Sequence, residues 1–207
     1  MGKPQLLVTV FSDYICPFCY IGNHRLSLLR DRYDFKVYWR FIEIHPETPI
    51  EGQSVDSLGY QPDQWRLMMD NLRRMAEEDG LKIGEHLMTA NSHRVLLLAE
   101  AAKELGSEIF YRLNDRIYSA YFTEGKNLGD EKVLTMIAEE TGVPADIVQR
   151  AWSDPKYEKI LTENLGAAIA NQVSGTPTFF FGEKRVTGAV PLKVLQDAAE
   201  YIEKQKN

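Results

Sequence analysis

Two cysteines, Cys16 and Cys19, are the residues of this chain whose type and spacing best suit chemistry. They are the only cysteines in the sequence, and both belong to one four-residue motif, Cys16-Pro17-Phe18-Cys19. Disulfide exchange needs a thiolate that attacks and a second thiol close enough to resolve the mixed disulfide. In a reducing compartment, C-x-x-C spacing therefore indicates redox catalysis or metal binding more than a structural clamp.

Zinc binding and simple burial are the alternatives for this pair. A zinc site would need two further ligands, and the sequence has no second cysteine pair. His86 and His93 are candidate ligands, but we predict ordinary surface or capping roles for both, with His93 in the first turn of a helix. We therefore predict no metal and no cofactor other than the redox-active pair itself.

The elements around the motif predict unequal roles for the two cysteines. The apolar, β-branched run at 6–11 predicts a strand buried on both faces, and helical periodicity begins after the motif. If the helix starts at Cys16, Pro17 takes its first position, where a missing N–H is tolerated. Cys16 then lies at the positive end of the helix dipole, which favours its thiolate. We predict Cys16 as the nucleophile and Cys19 as the less exposed resolving thiol.

The remaining pattern places strands at both ends of the chain and helices between them. Strand character returns at 35–44, and 46–59 is rich in loop-forming residues. A predicted hairpin (178–181 and 185–187) and an amphipathic helix (191–203) close the chain. Helical periodicity covers 64–78, 92–105, 108–122, 130–141, 145–152 and 156–173. The order β-α-β, helical block, β-β-α predicts one α/β fold interrupted by a helical insertion.

Three other residues near the predicted site carry smaller predictions. Pro177 either forms a cis peptide bond or opens an edge strand in the trans form, and the residues alone leave both interpretations open. Asp13 either assists proton transfer or caps the loop before the helix, with capping favoured. His45, which precedes Pro46, is predicted to be structural.

Composition limits the partners and the compartment. The net charge is −6 over 207 residues, and Lys and Arg are scattered among acidic residues, which argues against a nucleic-acid partner. No stretch approaches the roughly 20 apolar residues that span a bilayer, so we predict no membrane insertion. The first residues carry no visible export signal, and the cytoplasm is the simplest predicted compartment.

Taken together, these motifs resemble the DsbA-like thioredoxin superfamily, and within it the FrnE-like branch. The resemblance rests on 16–22, which reads CPFCYIG after an apolar strand, and on 174–179, which reads SGTPTF. Three further motifs lie between these two. They are Arg40-Phe41 followed by His45-Pro46, then NSHR at 91–94, then YFTEGKNL at 121–128. The resemblance implies a thioredoxin-like fold, with residues 1–50 and 154–207 forming the thioredoxin-like domain and 51–153 a helical insertion domain.

The resemblance also implies site residues and partners. It implies a catalytic pair at Cys16 and Cys19 beside a cis Thr176–Pro177 bond, where backbone groups hold an extended peptide by β-type pairing. The expected partners are protein thiols or disulfides, with glutathione as a further candidate co-substrate. The predicted substrate-binding residues are Pro17, Phe18, Thr176 and Pro177.

One substitution departs from the best-known DsbA proteins, which carry a histidine where this chain has Phe18. Phenylalanine donates neither a hydrogen bond nor a positive charge to the Cys16 sulfur, so we expect weaker stabilisation of the thiolate. Because a stabilised reduced form makes DsbA a strong oxidant, we predict a less oxidising couple here. The absent export signal likewise argues against the role of an exported oxidant.

Thiol-disulfide oxidoreductase activity is the main prediction, and two rivals remain. Kappa-class glutathione transferases and 2-hydroxychromene-2-carboxylate isomerases resemble this chain in domain order, but they generally use a serine at the position of Cys16 to activate or orient glutathione. A disulfide between Cys16 and Cys19 would interfere with that role. The second rival is a non-catalytic polypeptide-binding or chaperone protein. The direction of electron flow and the oligomeric state stay open.

Overall fold

Residues 3–84 and 88–205 are described by a computed structural model, and they form an α/β fold with the predicted element order. The strands are β1 (Gln5–Ser12), β2 (Asp34–Phe41), β3 (Gln53–Ser54), β4 (Met88–Thr89), β5 (Thr178–Phe181) and β6 (Lys184–Thr187). The helices are α1 (Pro17–Ser27), α2 (Pro62–Glu78), α3 (His93–Ala102), α4 (Ser107–Phe122), α5 (Glu131–Thr141), α6 (Ala145–Ser153), α7 (Pro155–Ala170) and α8 (Leu192–Gln205).

A four-stranded sheet joins the two ends of the chain in the order β2-β1-β5-β6. β1 and β2 are parallel, with Val10 opposite Trp39, as a β-α-β unit requires. β5 runs antiparallel to β1, with Phe179 opposite Val10, and pairs with β6 in the predicted hairpin. The central position of β1 places the residues that follow it, the cysteine loop, at the middle of one sheet edge.

The prediction that β1 is buried on both faces is wrong for the first half of the strand. In its first half, buried Leu6 and Val8 alternate with exposed positions, and Leu7 is 58% exposed. In its second half, Val10, Phe11 and Ser12 are all buried. Only the end of the strand that leads into the cysteine loop is covered on both sides, so continuous burial is confined to that end.

The helix boundaries follow the capping residues that the sequence contains. The Asp130 and Asp154 carboxylates accept hydrogen bonds from the N–H groups of Lys132 and Lys156, at 2.8 and 3.0 Å, and so cap α5 and α7. Gly142 ends α5 with a left-handed φ of 80°. Proline suits the first turn of a helix, which predicts that position for Pro144. That prediction is wrong, because Pro144 is the cap residue before α6.

The segment predicted as the loop 46–59 contains some regular structure. Residues 53–54 form β3, which pairs with β4, and a 3₁₀ turn covers Val55–Leu58. A two-residue strand exists only through its pairing with a distant strand, here Gln53 with Thr89 and Ser54 with Met88, so local composition does not show it.

One hydrophobic core runs from the sheet into the helices. It includes Val8 and Phe41 from the strands together with Leu97 from α3 and Leu113 from α4. The predicted domain boundaries, 1–50 and 154–207 against 51–153, stay a prediction. Within the described ranges, no helix has the length and apolar character needed to cross a bilayer.

Candidate active site

The two thiols lie at the start of α1. Cys16 is the residue before the helix, with an extended backbone, and Pro17 is the first helical residue, as predicted. The Cys19 N–H donates to the Cys16 carbonyl oxygen at 2.9 Å, which closes the first turn. Both thiols are free, and Cys19 is the more deeply buried, at 1% exposure against 5% for Cys16.

The segment before β5 packs directly against the nucleophile candidate. The Thr176–Pro177 peptide bond is cis, as the resemblance implied. The Cys16 thiol donates a hydrogen bond to the Thr176 carbonyl oxygen at 3.4 Å. The fold thus brings together two motifs that lie 160 residues apart in the chain.

The surroundings of the two sulfur atoms shift their pKa values in opposite directions. The pKa of Cys16 is lowered, first by a hydrogen bond from the Cys19 thiol and then by a hydrogen bond from the Thr176 side chain, against the opposing effect of burial. Burial, and then the neighbouring Cys16 sulfur, raise the pKa of Cys19 well above its ordinary value. Cys16 is therefore deprotonated more readily than Cys19, and the thiolate forms on Cys16.

A cavity of about 520 Å³ opens beside Cys16. Pro17, Phe18 and Thr176, three of the four predicted substrate-binding residues, line it, and Pro177 is not among the lining residues. α2 contributes Trp65, Met68, Met69 and Leu72 to the lining. No Lys, Arg, Asp or Glu of the described chain lines this cavity, so it offers a ligand an apolar surface.

Gly22 of α1 is the point where the helix touches the cis-proline segment. A methyl group at this position would lie 2.9 Å from both the Pro177 ring and the Phe179 ring, which is closer than such atoms approach. We expect Gly22→Ala to destabilise the protein by about 1–3 kcal/mol through overpacking. It should also slow disulfide exchange, because Pro177 can move only together with Thr176, which contacts Cys16.

Urea unfolding and an exchange assay on the same sample check this prediction. Gly166→Ala is the matched control, since a methyl group there meets no atom within 4 Å. If Gly22→Ala matched this control in both stability and activity, the close contact would be without consequence.

Asp13 is a fully buried carboxylate that ties three segments together. It accepts hydrogen bonds from the N–H of Ile15 at 3.3 Å, from the N–H of Ile44 at 2.9 Å and from the hydroxyl of Ser92 at 3.0 Å. Burial raises its pKa to about 7. These contacts favour the predicted capping role, and they extend it, because Ile44 and Ser92 belong to distant parts of the chain.

The two described histidines among those singled out in the sequence contact carboxylates. His93, in the first turn of α3 as predicted, contacts Glu43 at 2.6 Å and Glu158 at 2.8 Å. His45 contacts Glu47 at 3.3 Å and lines the apolar cavity. His86 lies outside the described residues.

The ion pairs of His93 predict a pH dependence of stability. Its pKa is raised from 6.5 to about 9, first by the hydrogen bond with Glu43. Because the folded state holds the proton more tightly, the stabilisation is complete below pH 6.5 and is lost as the pH rises through about 9. The side chain is 36% exposed, so screening leaves about 1 kcal/mol.

We therefore expect His93→Gln to lower the free energy of unfolding by about 1 kcal/mol at pH 6 and to have no effect at pH 10. Chemical denaturation at both pH values measures the difference. A difference between the two proteins that stayed constant with pH would contradict the assignment.

The sheet order and the cysteine pair at the start of α1 define a thioredoxin-like protein. Within that class, the chain belongs to the DsbA-like thioredoxin domain family, because residues 7–200 match the sequence model of this family. The predicted family and fold class are thereby confirmed.

Two curated relatives align over nearly the whole chain. The uncharacterized protein YwbO of Bacillus subtilis is 27% identical over 202 residues, which cover 96% of this chain and 98% of the relative. A 2-hydroxychromene-2-carboxylate isomerase of a Pseudomonas species is 23% identical and aligns over 93% of this chain and 90% of the relative.

Two solved structures share the fold. A probable DsbA oxidoreductase from Streptomyces coelicolor superposes with a TM-score of 0.85 at 24% identity, covering 98% of this chain and 92% of that protein. The cytosolic disulfide reductase DsbM from Pseudomonas aeruginosa, solved with glutathione, superposes with a TM-score of 0.69 at 18% identity, covering 97% and 98%. The neighbours thus include both disulfide oxidoreductases and isomerases.

Proposed function

We propose that this protein is a thiol-disulfide oxidoreductase in which Cys16 attacks and Cys19 resolves. The observation that carries the proposal is a pair of free thiols at the start of α1 whose pKa values are shifted in opposite directions, that of Cys19 upward by burial and that of Cys16 downward by its contact with Cys19. Attack requires a thiolate, and resolution requires a second thiol within reach of the first. Cys16, which lines the cavity, meets the first requirement, and Cys19 behind it meets the second.

The reaction transfers two electrons between the cysteine pair and the substrate. In the reducing direction, the Cys16 thiolate attacks a substrate disulfide and releases one substrate thiol. Cys19 then loses its proton and attacks the Cys16 sulfur, which forms the Cys16–Cys19 disulfide and releases the second substrate thiol. The oxidising direction reverses these steps.

The lining of the cavity supports protein substrates over glutathione. Glutathione carries two carboxylates, and no Lys or Arg of the described chain lines the cavity that could pair with them. The thioether and aromatic side chains of Met68, Met69 and Trp65 instead suit apolar side chains of an extended protein segment. Thr176 lies where its backbone would pair with such a segment.

The reduction potential tests the proposal. The contacts that lower the pKa of Cys16 come from Cys19 and Thr176, and neither is a cation. Phe18 stands where a histidine would add one. We therefore expect a couple clearly more reducing than the value of about −120 mV that holds for DsbA. Titration against a glutathione buffer measures it, with insulin reduction and dithiol oxidation assayed alongside.

A glutathione-dependent isomerase is the second candidate, and the similarity to the Pseudomonas 2-hydroxychromene-2-carboxylate isomerase favours it. Full activity of Cys16→Ser with glutathione and an organic substrate would establish this candidate. A Cys16→Ser, Cys19→Ser double variant that lost exchange but kept its biological effect would instead establish a polypeptide-binding role. A cytoplasmic location remains part of the proposal, and fractionation of cells that express the full chain tests it.

A further inference from the structure

His45 is the side chain of the cavity lining that is best suited to a charged contact with a substrate. It lines the same cavity as Cys16, and no Lys, Arg, Asp or Glu of the described chain does so. The His45 side chain is 22% exposed, so it is neither packed in the core nor fully in solvent. A molecule that enters the cavity can therefore contact this ring.

One nitrogen of the His45 ring is engaged and the other is open. Nδ1 lies 3.3 Å from a carboxylate oxygen of Glu47. Among the described residues, none forms a hydrogen bond with Nε2. A protonated imidazole carries an N–H on each nitrogen. When Glu47 accepts the hydrogen bond from Nδ1, the N–H at Nε2 is left to donate to a ligand, and the carboxylate fixes the orientation of the ring.

The Asp13 carboxylate links the backbone beside His45 to the backbone beside Cys16. It accepts hydrogen bonds from the N–H groups of Ile15 at 3.3 Å and Ile44 at 2.9 Å. Ile15 directly precedes Cys16, and Ile44 directly precedes His45. Asp13 is fully buried, so water does not compete for these bonds. One carboxylate thus holds the nucleophile and the imidazole in a single arrangement.

Disulfide exchange places negative charge on a sulfur of the substrate as well as on the enzyme. When the Cys16 thiolate attacks, its electron pair forms a bond to one substrate sulfur. The electrons of the substrate S–S bond move onto the other sulfur, which leaves as a thiolate. A fixed hydrogen-bond donor beside that sulfur stabilises the charge while it forms.

We propose that His45 is a catalytic residue that donates a hydrogen bond from Nε2 to the substrate sulfur that leaves when Cys16 attacks, and that Glu47 is a positioning residue for its ring. The inference rests on the proposed function. The departing thiolate takes its proton from the solvent after release, and His45 keeps its own. In the oxidising direction, the same contact holds the substrate thiolate that attacks the mixed disulfide.

The size of the effect follows from the charge on the leaving sulfur. A hydrogen bond to a full charge changes a rate by roughly 10- to 100-fold. The charge is only partly formed in the transition state, and water in a partly open cavity replaces part of the contact. We therefore expect loss of the His45 donor to slow attack on an alkyl disulfide roughly 3- to 10-fold. A less basic leaving group should show a smaller effect, because it leaves readily without the contact.

Two disulfides with different leaving groups separate a hydrogen bond from a structural effect. Hydroxyethyl disulfide is uncharged and releases an ordinary alkyl thiolate, whereas dithiodipyridine releases thiopyridone, whose charge is spread over its ring. A Cys19→Ser background isolates the first step, because the mixed disulfide on Cys16 is not resolved. Its formation is followed by mass spectrometry for the alkyl disulfide and by absorbance for thiopyridone. Both reactions are run in excess disulfide at pH 6, below the ordinary imidazole pKa of about 6.5.

We expect His45→Phe to slow the reaction with hydroxyethyl disulfide about 3- to 10-fold and the reaction with dithiodipyridine at most about 2-fold. His45→Gln retains one N–H donor and should recover part of the rate. Glu47→Gln should act in the same direction as His45→Phe with a smaller effect. Because Glu47 is 65% exposed, this variant keeps the test valid if His45→Phe does not fold.

His93→Gln is the matched control. The His93 imidazole also contacts carboxylates, but it does not line the cavity, so both rates should equal those of the protein without this change. Equal slowing with both disulfides in His45→Phe would overturn the inference, because an altered cavity would then be the cause. An unchanged rate with the alkyl disulfide in both His45→Phe and Glu47→Gln would also overturn it. Failure of the proposed function would look different: the protein with an intact His45 would react with neither disulfide.

Discussion

Replacing Cys16 with serine is expected to lower the rate of disulfide exchange at least about 100-fold, because a serine hydroxyl does not replace a thiolate in attack on sulfur. Cys19 cannot take over the first step. It is almost fully buried behind Cys16, and burial raises its pKa well above its ordinary value. The loss is measured as the rate of insulin reduction and as the rate at which Cys16 releases thiopyridone from dithiodipyridine.

Cys19→Ser is the matched variant and should have a different effect. It retains the attacking thiolate, so the mixed disulfide between Cys16 and the substrate should still form. Resolution should stop, and the mixed disulfide on Cys16 should accumulate and be detected by mass spectrometry. Accumulation of a mixed disulfide on Cys19 in the Cys16→Ser variant would reverse the assigned roles.

Arg25→Ala is expected to cause the largest loss of stability. Arg25 is 3% exposed and lies in α1, where its Nε donates to the Asp79 carboxylate at 2.6 Å. Its Nη1 donates to the carbonyl oxygens of Ala189 and Val190 at 3.1 and 3.0 Å. Removing one partner of a buried pair leaves an uncompensated charge and costs about 3–5 kcal/mol.

We expect a loss at the low end of that range, about 3 kcal/mol, because the Asp79 side chain is 14% exposed and its charge is therefore not fully buried. For a domain of this size, such a loss lowers the melting temperature by about 6–12 °C. Arg32→Ala is the matched control: its ion pair with Glu200 lies at the surface, and its melting temperature should match that of the parent. Equal melting temperatures for the two variants would contradict the assigned role of Arg25.

The ion pair between Arg25 and Asp79 also supports the cavity beside Cys16. Asp79 directly follows α2, and α2 residues between Trp65 and Leu72 line the same cavity as Cys16. Losing the ion pair frees one end of the helix that forms much of the cavity wall, so Arg25→Ala should weaken substrate binding as well as stability. Arg25→Lys should recover only part of the loss, since an ammonium group cannot donate in the same fork geometry.

The cysteine motif and its helix were predictable because their determinants are local. Pro17 suits only the first turn of a helix, and the preceding strand is visible as an apolar run. The caps of α5 and α7 are also local, because Asp130 and Asp154 each accept a hydrogen bond from an N–H two residues further along the chain. Local reasoning failed for β1, where burial on both faces was predicted from composition, while the actual burial depends on how far neighbouring helices extend.

The cavity was only half predictable. Trp65, Met68, Met69 and Leu72 recur at helical spacing, so their shared face was present in the sequence pattern. The surface that this face meets was not, because periodicity identifies a buried side without identifying its partner. The hydrogen bond between Ser12 and Tyr118 could not be predicted for a similar reason. The two residues are 106 positions apart, and a serine at the end of a strand carries no distinctive signal.

The sequence by itself determined that two thiols stand one helical turn apart at the start of α1, since bond geometry and the proline before the second turn leave little freedom there. The tertiary structure alone decided which charges and donors surround them. Thr176 reaches Cys16 only because β5 pairs with β1 in the folded chain. Such contacts arise from packing of the whole core, so thiol chemistry is encoded locally while its tuning is a property of the fold.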